Sequence, residues 1–386
     1  MQIVLALTGL VLCLLVVEAL VVRRQVSRIG LRIHVNGTRG KSSVTEYLAA
    51  VLRASGRTTL AKVTGIEPTL LLPDGSREVI HRRGRARVHE QFHTVRRAAR
   101  LGCEAVVLEC MSIAPEFQRV ETRFFRPHVT VLTNILDDHR EELGTSEAER
   151  VEAFCTALPS HAVVVTGERV NGDSVTRAAA GRSTRTIIPP ELDTSILPPL
   201  PVGILHQNLA LALSVSETIG ISRHLALEAI LREVVRRRDS PLTTVSEKRN
   251  IRFINGFAVN DVSSARDFLR YWQERLGGWN HLVVILNTRS DRPLRSIQFA
   301  RWCASLHKLS VVVLVGTHVA ATQRTMLRGG MERSKIIAWS RQQIMKPHDS
   351  LLQIVQAETM VIGIGNTAGD GSLILEQMRR RVDIER

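Results

Sequence analysis

The feature that most constrains this chain is an eight-residue turn, Asn36-Gly37-Thr38-Arg39-Gly40-Lys41-Ser42-Ser43, set between segments of different periodicity. Before it, residues 31–35 form a short apolar run with strand character. After it, Val44, Tyr47, Leu48, Val51 and Leu52 recur at helical spacing. A strand that feeds a glycine-containing turn and then a helix aims successive backbone N–H groups and a helix N-terminus at one point, which suits a phosphate. Lys41 is then placed to neutralise β/γ-phosphate oxygens and Ser42 to hold Mg²⁺. The glycine spacing is not that of the common phosphate loop, since the position five before Gly40 is Val35.

The same βα rhythm continues, with strands expected at 105–108, 129–132 and 162–165 and helices near 89–101, 146–157 and 207–218. The pattern predicts an α/β fold around a parallel sheet. An aromatic fraction of 4% leaves the core to Val, Leu, Ile and Ala. A Pro- and Thr-rich stretch at 182–201 interrupts the alternation ahead of a helical pair around 207–236, and the run 235–241 breaks helical periodicity. Strands expected at 251–254, 282–286, 310–315, 335–338 and 360–364 then form a second, smaller Rossmann-like sheet. The organisation read from this is an N-terminal segment 1–30, a central nucleotide-binding domain 31–238 and a C-terminal domain 239–386.

Residues 3–22 are apolar apart from Glu18. At ~1.5 Å per residue such a run matches a bilayer's hydrocarbon core of ~30 Å. Arg23 and Arg24 follow it directly and Arg28 and Arg32 lie just beyond. The expectation is a single uncleaved transmembrane helix with the catalytic domains on the cytoplasmic side. Glu18 is either a partner contact within the membrane or a residue near enough to the basic end to reach the headgroups.

The formal charge is +15, carried almost wholly by arginine, with lysines only at 41, 62, 248, 308, 335 and 346. Such a charge attracts anions, and nucleic acid, anionic lipid and an acidic polymer all meet that description. Few aromatics are available to stack bases, which counts against nucleic acid. The five cysteines form no Cys-x-x-Cys pair and lie mostly in apolar runs, so they read as reduced core thiols.

Two more strands end on polar residues: 105–108 on Glu109, and 129–132 on Thr133-Asn134-Ile135-Leu136-Asp137-Asp138-His139. That puts these side chains at the carboxyl edge of the sheet beside the phosphate turn, where a carboxylate suits Mg²⁺. The set Gly-Thr-x-Gly-Lys-Ser-Ser, then Glu109, then Asn-x-x-x-Asp-His resembles the Mur ligases and folylpolyglutamate synthases. The resemblance implies a P-loop Mur-ligase-like central domain that binds ATP and Mg²⁺. Gly37, Thr38, Arg39, Gly40, Lys41, Ser42, Ser43 and Asn134 would lie on the nucleotide, and Ser42, Glu109 and His139 on the metal. His206-Gln207-Asn208 is similar to that superfamily's helix whose asparagine contacts adenine, which implies the same for Asn208. Read alone, His206 or Asn208 is equally a helix cap.

In the second domain, 257–264, 287–296 and 363–371 follow strands, and Asn287-Thr288-Arg289-Ser290-Asp291-Arg292-Pro293 is the most specific segment. With the apolar N-terminus, these resemble the ligase subunit family of poly-γ-glutamate synthases, the PgsB/CapB type. Arg289, Arg292 and Arg295 offer guanidinium forks for carboxylates; an ion-pair network with Asp291 is the plainer reading. The resemblance implies an ADP-forming carboxylate–amine ligase that joins glutamate to an anionic poly-γ-glutamate chain through an acyl phosphate. Lys41, Glu109, His139, Arg289 and Arg292 would be catalytic. Integral membrane subunits are the implied partners, with homo-oligomers possible and no nucleic acid. Departures from the Mur pattern are Gly256-Phe257-Ala258-Val259-Asn260-Asp261 in place of Asp-Tyr-Ala-His-Asn-Pro, and the absence of any lysine between Lys62 and Lys248 to match the carbamylated one. A membrane-tethered nucleotide switch is the competing reading; it has no use for the second domain.

Overall fold

The computed structural model describes residues 2–384 apart from 66–67, 83–86, 193–205, 237–241, 260, 278, 291–292 and 307; side chains at 2–6, 235–236, 263 and 379–384 are outside the description. The chain divides into two compact units, Met1–Arg238 and Asp239–Arg386.

The first unit begins with α1 (Gln2–Ser27), β1 (Leu31–Asn36), α2 (Lys41–Ala54), β2 (Thr59–Val63), β3 (Thr69–Leu71) and β4 (Arg77–Val79). It continues with α3 (His89–Arg100), β5 (Ala105–Glu109), α4 (Pro115–Phe125), β6 (Val129–Leu132), α5 (Arg140–Leu143) and α6 (Glu147–Thr156). β7 (Val163–Thr166), α7 (Gly172–Ala180), β8 (Arg185–Ile187), α8 (His206–Thr218) and α9 (Arg223–Arg236) complete it. The strands form one sheet in the order β4-β3-β2-β5-β1-β6-β7-β8. β1 is therefore central, parallel to β5 on one side and β6 on the other. Its register, Val35 beside Glu109 and Asn36 beside Leu132, brings three strand ends together at one edge.

The sheet is mixed, which corrects the all-parallel expectation: β3 runs antiparallel to β2 and β4 antiparallel to β3. The β3–β4 reversal comes from the turn at Pro73-Asp74-Gly75, where Gly75 takes φ 84° and Asp74 accepts from the Ser76 N–H, a hairpin signal the longer-range pattern masks. The stretch at 182–201 is not wholly a connection either, since β8 lies inside it; its residues 193–201 are outside the described set. One face of the sheet packs under α2, α8 and α9 through Val44, Leu48, Val51, Leu211 and Ile230. On the other face Val26, Ile29, Val95, Ala98 and Phe125 close a second core.

The anchor expected at 3–22 receives no support from the fold. Its first residues have side chains outside the description, and among the described residues no helix is long and apolar enough to cross a membrane. Within α1, Leu7 to Val21 nevertheless leave their apolar side chains exposed.

The second unit holds β9 (Leu242–Ser246), β10 (Ile251–Asn255), α10 (Val262–Arg275), β11 (His281–Thr288), α11 (Pro293–Ala304) and β12 (Leu309–Gly316). Then come α12 (Val319–Arg328), β13 (Ile336–Ala338), α13 (Arg341–Met345), α14 (Pro347–Ile354), β14 (Thr359–Ile364) and α15 (Asp370–Ile384). Its sheet runs β13-β12-β11-β14-β10-β9, parallel except for the antiparallel edge strand β9, which the sequence pattern did not signal.

Candidate functional site

In the first unit the site grows from the carboxyl ends of β1, β5 and β6. The phosphate turn leaves β1 with Gly37 at φ 121° and reaches α2 through Gly40 at φ 84°, conformations open to glycine and strained for other residues. Space enforces the same choice. A Cβ on Gly37 would fall 2.9 Å from the Thr133 nitrogen, and one on Gly40 would fall 2.8 Å from Asn208 Nδ2.

The turn is held from beside it. The Thr38 N–H donates to the Asn134 carbonyl (2.9 Å) and the Arg39 N–H to Asn134 Oδ1 (2.9 Å). The Leu136 N–H donates to the Thr38 hydroxyl (3.0 Å), and Arg39 pairs with Asp138 at 2.7 Å. The N–H groups of Gly40, Lys41, Ser42 and Ser43, by contrast, find no acceptor among the described residues. A helix start with four such donors is a ready anion cradle. Lys41 Nζ arches over it and donates to the carbonyls of Gly37 (2.7 Å) and Thr38 (3.3 Å).

Ser42 and Glu109 meet as expected: the Ser42 hydroxyl donates to Glu109 Oε2 at 2.9 Å, and the Thr64 N–H donates to the same oxygen at 2.7 Å. A buried carboxylate beside a hydroxyl at a phosphate cradle is a fitting oxygen donor set for Mg²⁺. His139 makes no ion pair or hydrogen bond with Ser42 or Glu109. It sits at φ 54° ahead of α5, with Asp138 at 3.7 Å and Glu142 at 4.0 Å as its carboxylate neighbours. Asn208 is 3% exposed and packed against Gly40, where its side chain leaves no room for a Cβ on the turn. Asn134 likewise acts on the turn's backbone.

A polar web behind Glu109 escaped the sequence reading. Gln91 Nε2 donates to the Glu109 carbonyl (2.9 Å) and to Glu121 Oε2 (2.8 Å). Lys62, fully buried, donates to Gln91 Oε1 (3.3 Å) and pairs with Glu90 at 3.1 Å. Burial pushes the Lys62 ammonium below its ordinary value, which Glu90 partly offsets. Burial works to raise Glu121, but hydrogen bonding and charge from His34, with Ser112 and Gln91, hold its carboxyl below the usual range. His34, Cys110 and Glu121 place donor atoms within 4.8 Å of one another. Burial raises the Cys110 thiol well above its ordinary value and Glu121 is already spoken for, so the trio is packing support for the strand end. The available signal was a set of polar residues inside apolar strands.

In the second unit Asn287, at the end of β11, holds the loop between β14 and α15, its Nδ2 donating to the carbonyls of Asn366 (2.6 Å) and Ala368 (2.9 Å). Arg289 Nη1 reaches Asn366 Oδ1 at 3.4 Å. Asp370 accepts from the Gly316 N–H (3.0 Å) and pairs with Arg341 at 2.9 Å. Arg289, Arg295, Ser296 and Asn366 line one small hollow. Arg292 and Asp291 lie outside the described residues.

Comparison with known proteins agrees with both halves of this geometry. Residues 35–187 match the Mur ligase middle domain and residues 242–381 match the poly-gamma-glutamate synthase CapB C-terminal domain. The chain is 28% identical over 369 residues to the capsule biosynthesis protein CapB of Bacillus anthracis, covering 92% of this chain and 78% of that protein. It is 25% identical over 367 residues to the PGA synthase CapB of Bacillus subtilis (strain 168), covering 92% of each. Among solved structures, E. coli FolC in complex with ADP superposes with a TM-score of 0.66 at 14% identity, covering 95% of this chain and 93% of that one. MurF from Acinetobacter baumannii gives a TM-score of 0.61 at 17% identity, covering 93% and 78%. A bifunctional folylpolyglutamate synthase/dihydrofolate synthase with Mn, AMPPNP and L-glutamate bound gives 0.65 at 16%, covering 93% of each. The resemblance carried by the motifs is thus shown in both domains.

Proposed function

We propose that this chain is an ATP-dependent carboxylate–amine ligase that adds glutamate to poly-γ-glutamate, releasing ADP and phosphate, at a bacterial membrane with its catalytic domains in the cytoplasm. The observation that carries the reading is the unsatisfied row of N–H groups at 40–43 with Lys41 over it and the Ser42–Glu109 pair beside it. The C-terminal match to the CapB domain and the two CapB relatives support poly-γ-glutamate as the product. The glutamate- and nucleotide-bound neighbour supports the substrate pair.

In this reading the γ-phosphoryl of ATP passes to a glutamyl carboxylate, giving an acyl phosphate and ADP. The amine of the joining residue attacks the acyl carbon, the new C–N bond forms, phosphate leaves and the nitrogen loses a proton. The 40–43 N–H groups orient the phosphate chain, and Lys41 swings from its own loop carbonyls to the phosphoryl oxygens, where its charge offsets the charge in transfer. Mg²⁺, held by Ser42 and Glu109, would supply Lewis-acid polarisation of those oxygens. His139 is assigned to the same metal by resemblance. Arg289, with Arg292, would receive glutamyl carboxylates. Small integral membrane subunits would complete the enzyme, and the exposed apolar side of α1 supports an anchoring role.

The test is ADP release by the detergent-solubilised full chain with Mg·ATP, with and without glutamate or short γ-glutamyl peptides, in the presence of hydroxylamine. Glutamate-dependent ADP with a trapped hydroxamate is expected. Nucleotide binding without such dependence, even with membrane partners restored, would replace the ligase by a nucleotide switch.

A further inference from the structure

Five arginines converge where α1 meets the body of the first unit. Arg23, Arg123 and Arg126 line a hollow of about 350 Å³ whose other walls include Leu15, Ala19, Val22, Phe92 and Phe124. Arg23 and Arg126 also face a second hollow of about 340 Å³, with Arg24 and Arg32. Glu18 is the single carboxylate on either lining.

Like charges gathered this way repel unless something neutralises them. Among the described residues the guanidinium groups of Arg23, Arg24, Arg123 and Arg126 make neither an ion pair nor a hydrogen bond. Arg32 is the exception, and it is spent on structure. Its guanidinium donates to the carbonyls of Phe125 (3.0 Å) in α4 and of Val26 (3.3 Å) in α1, clamping α1 to the end of α4. That clamp fixes Arg126, at φ 47°, against the same spot, and Arg32 loses proton affinity first through burial and then through the Arg126 charge. The fold therefore holds guanidinium groups together where the exposed apolar surface of α1 meets the first unit.

A ligand that satisfies both features carries an anionic phosphate next to hydrocarbon. We propose that this junction binds an anionic phospholipid, its phosphate seated by Arg23, Arg123 and Arg126 and its acyl chains laid along Leu15, Ala19, Val22, Phe92 and Phe124. Arginine matches phosphate through paired N–H donors, and a hollow of this size accepts a headgroup with the first carbons of its chains. The site would fix the depth and tilt at which the catalytic unit sits under a bilayer. It rests on the membrane reading of α1, but lipid selectivity in micelles tests it separately.

The experiment uses the full chain in non-ionic detergent, titrated with phosphatidylglycerol or phosphatidylcholine, with bound lipid counted by native mass spectrometry. Phosphatidylglycerol should be retained at least tenfold more tightly. Arg123→Gln and Arg23→Gln should each lose most of that preference, whereas Arg119→Gln, one turn earlier on α4 and outside both linings, should keep it. Equal retention of the two lipids, or equal loss in Arg119→Gln and Arg123→Gln, overturns the site in favour of diffuse charge. Glycerol phosphate competing as well as the whole lipid overturns the lipid assignment in favour of a free phosphate. Selective retention by a chain that fails to float with vesicles would keep the site and sink the anchor.

Discussion

Ser42 and Glu109 come from elements 67 residues apart in sequence and share a 2.9 Å hydrogen bond at the carboxyl edge of the first sheet. The Thr64 N–H holds the same carboxylate oxygen, so the metal-side donors are oriented before any nucleotide arrives. Glu109→Gln keeps the shape but removes the charge a hard cation needs. The Mg²⁺ concentration for half-maximal ADP formation should rise at least about tenfold. An unchanged Mg²⁺ titration would remove Glu109 from the metal.

Lys41 holds its ammonium on the Gly37 and Thr38 carbonyls, beside the 40–43 amides. Lys41→Ala should lower turnover on the order of 10²-fold or more, comparable to losing one strong donor at a transition state. The fold should persist, since among the described residues the Lys41 ammonium hydrogen-bonds to its own loop carbonyls. Near-normal single-turnover ADP formation would refute the assignment.

Gly40 allows a test of the cradle's shape. Gly40→Ala meets both a left-handed backbone and the Asn208 side chain, and strain of that kind costs on the order of 1–3 kcal/mol. Nucleotide affinity should fall at least tenfold. Asn208→Gly in the same chain should recover part of it by clearing the overlap. A double variant no better than the sum of the two single losses would mean that Asn208 acts on the nucleotide and not on the turn.

Arg289 stands at the mouth of the second unit's hollow with Asn366 as its neighbour. Arg289→Ala should raise the KM for the γ-glutamyl substrate several-fold and leave ADP affinity unchanged, as expected for a residue that grips a carboxylate. A matching loss of ADP affinity would place it elsewhere.

The polar web predicts a pH response. Glu121 is held below the usual carboxylate range, so its stabilisation is fully present above the unfolded value of about 4.3 and is lost as pH falls through the lower folded value. Urea unfolding should show a steep loss of stability below about pH 4.3, and Glu121→Gln should flatten it while lowering stability at neutral pH. Parallel profiles for the two chains would assign the acid sensitivity to other groups.

The sequence by itself determined the local grammar. A strand, Gly37 to Ser43 and a helix of 3.6 periodicity make a turn suited to phosphate, and an apolar strand that stops at Glu109 presents that residue at a sheet edge, because both follow from backbone geometry within a few residues. It likewise gave the two α/β halves, since alternation of short strands and helices needs no long-range information. Tertiary structure decided what depends on neighbours remote in the chain. The central place of β1 between β5 and β6 put Ser42 beside Glu109. Packing put Asn208 against Gly40, and Asn287 was tied to the loop after β14 through bonds to residues 79 and 81 positions away. The antiparallel edges and the buried Lys62–Gln91–Glu121 web were hidden for the same reason: a polar side chain in an apolar strand declares that it needs a partner, but only the folded chain supplies one.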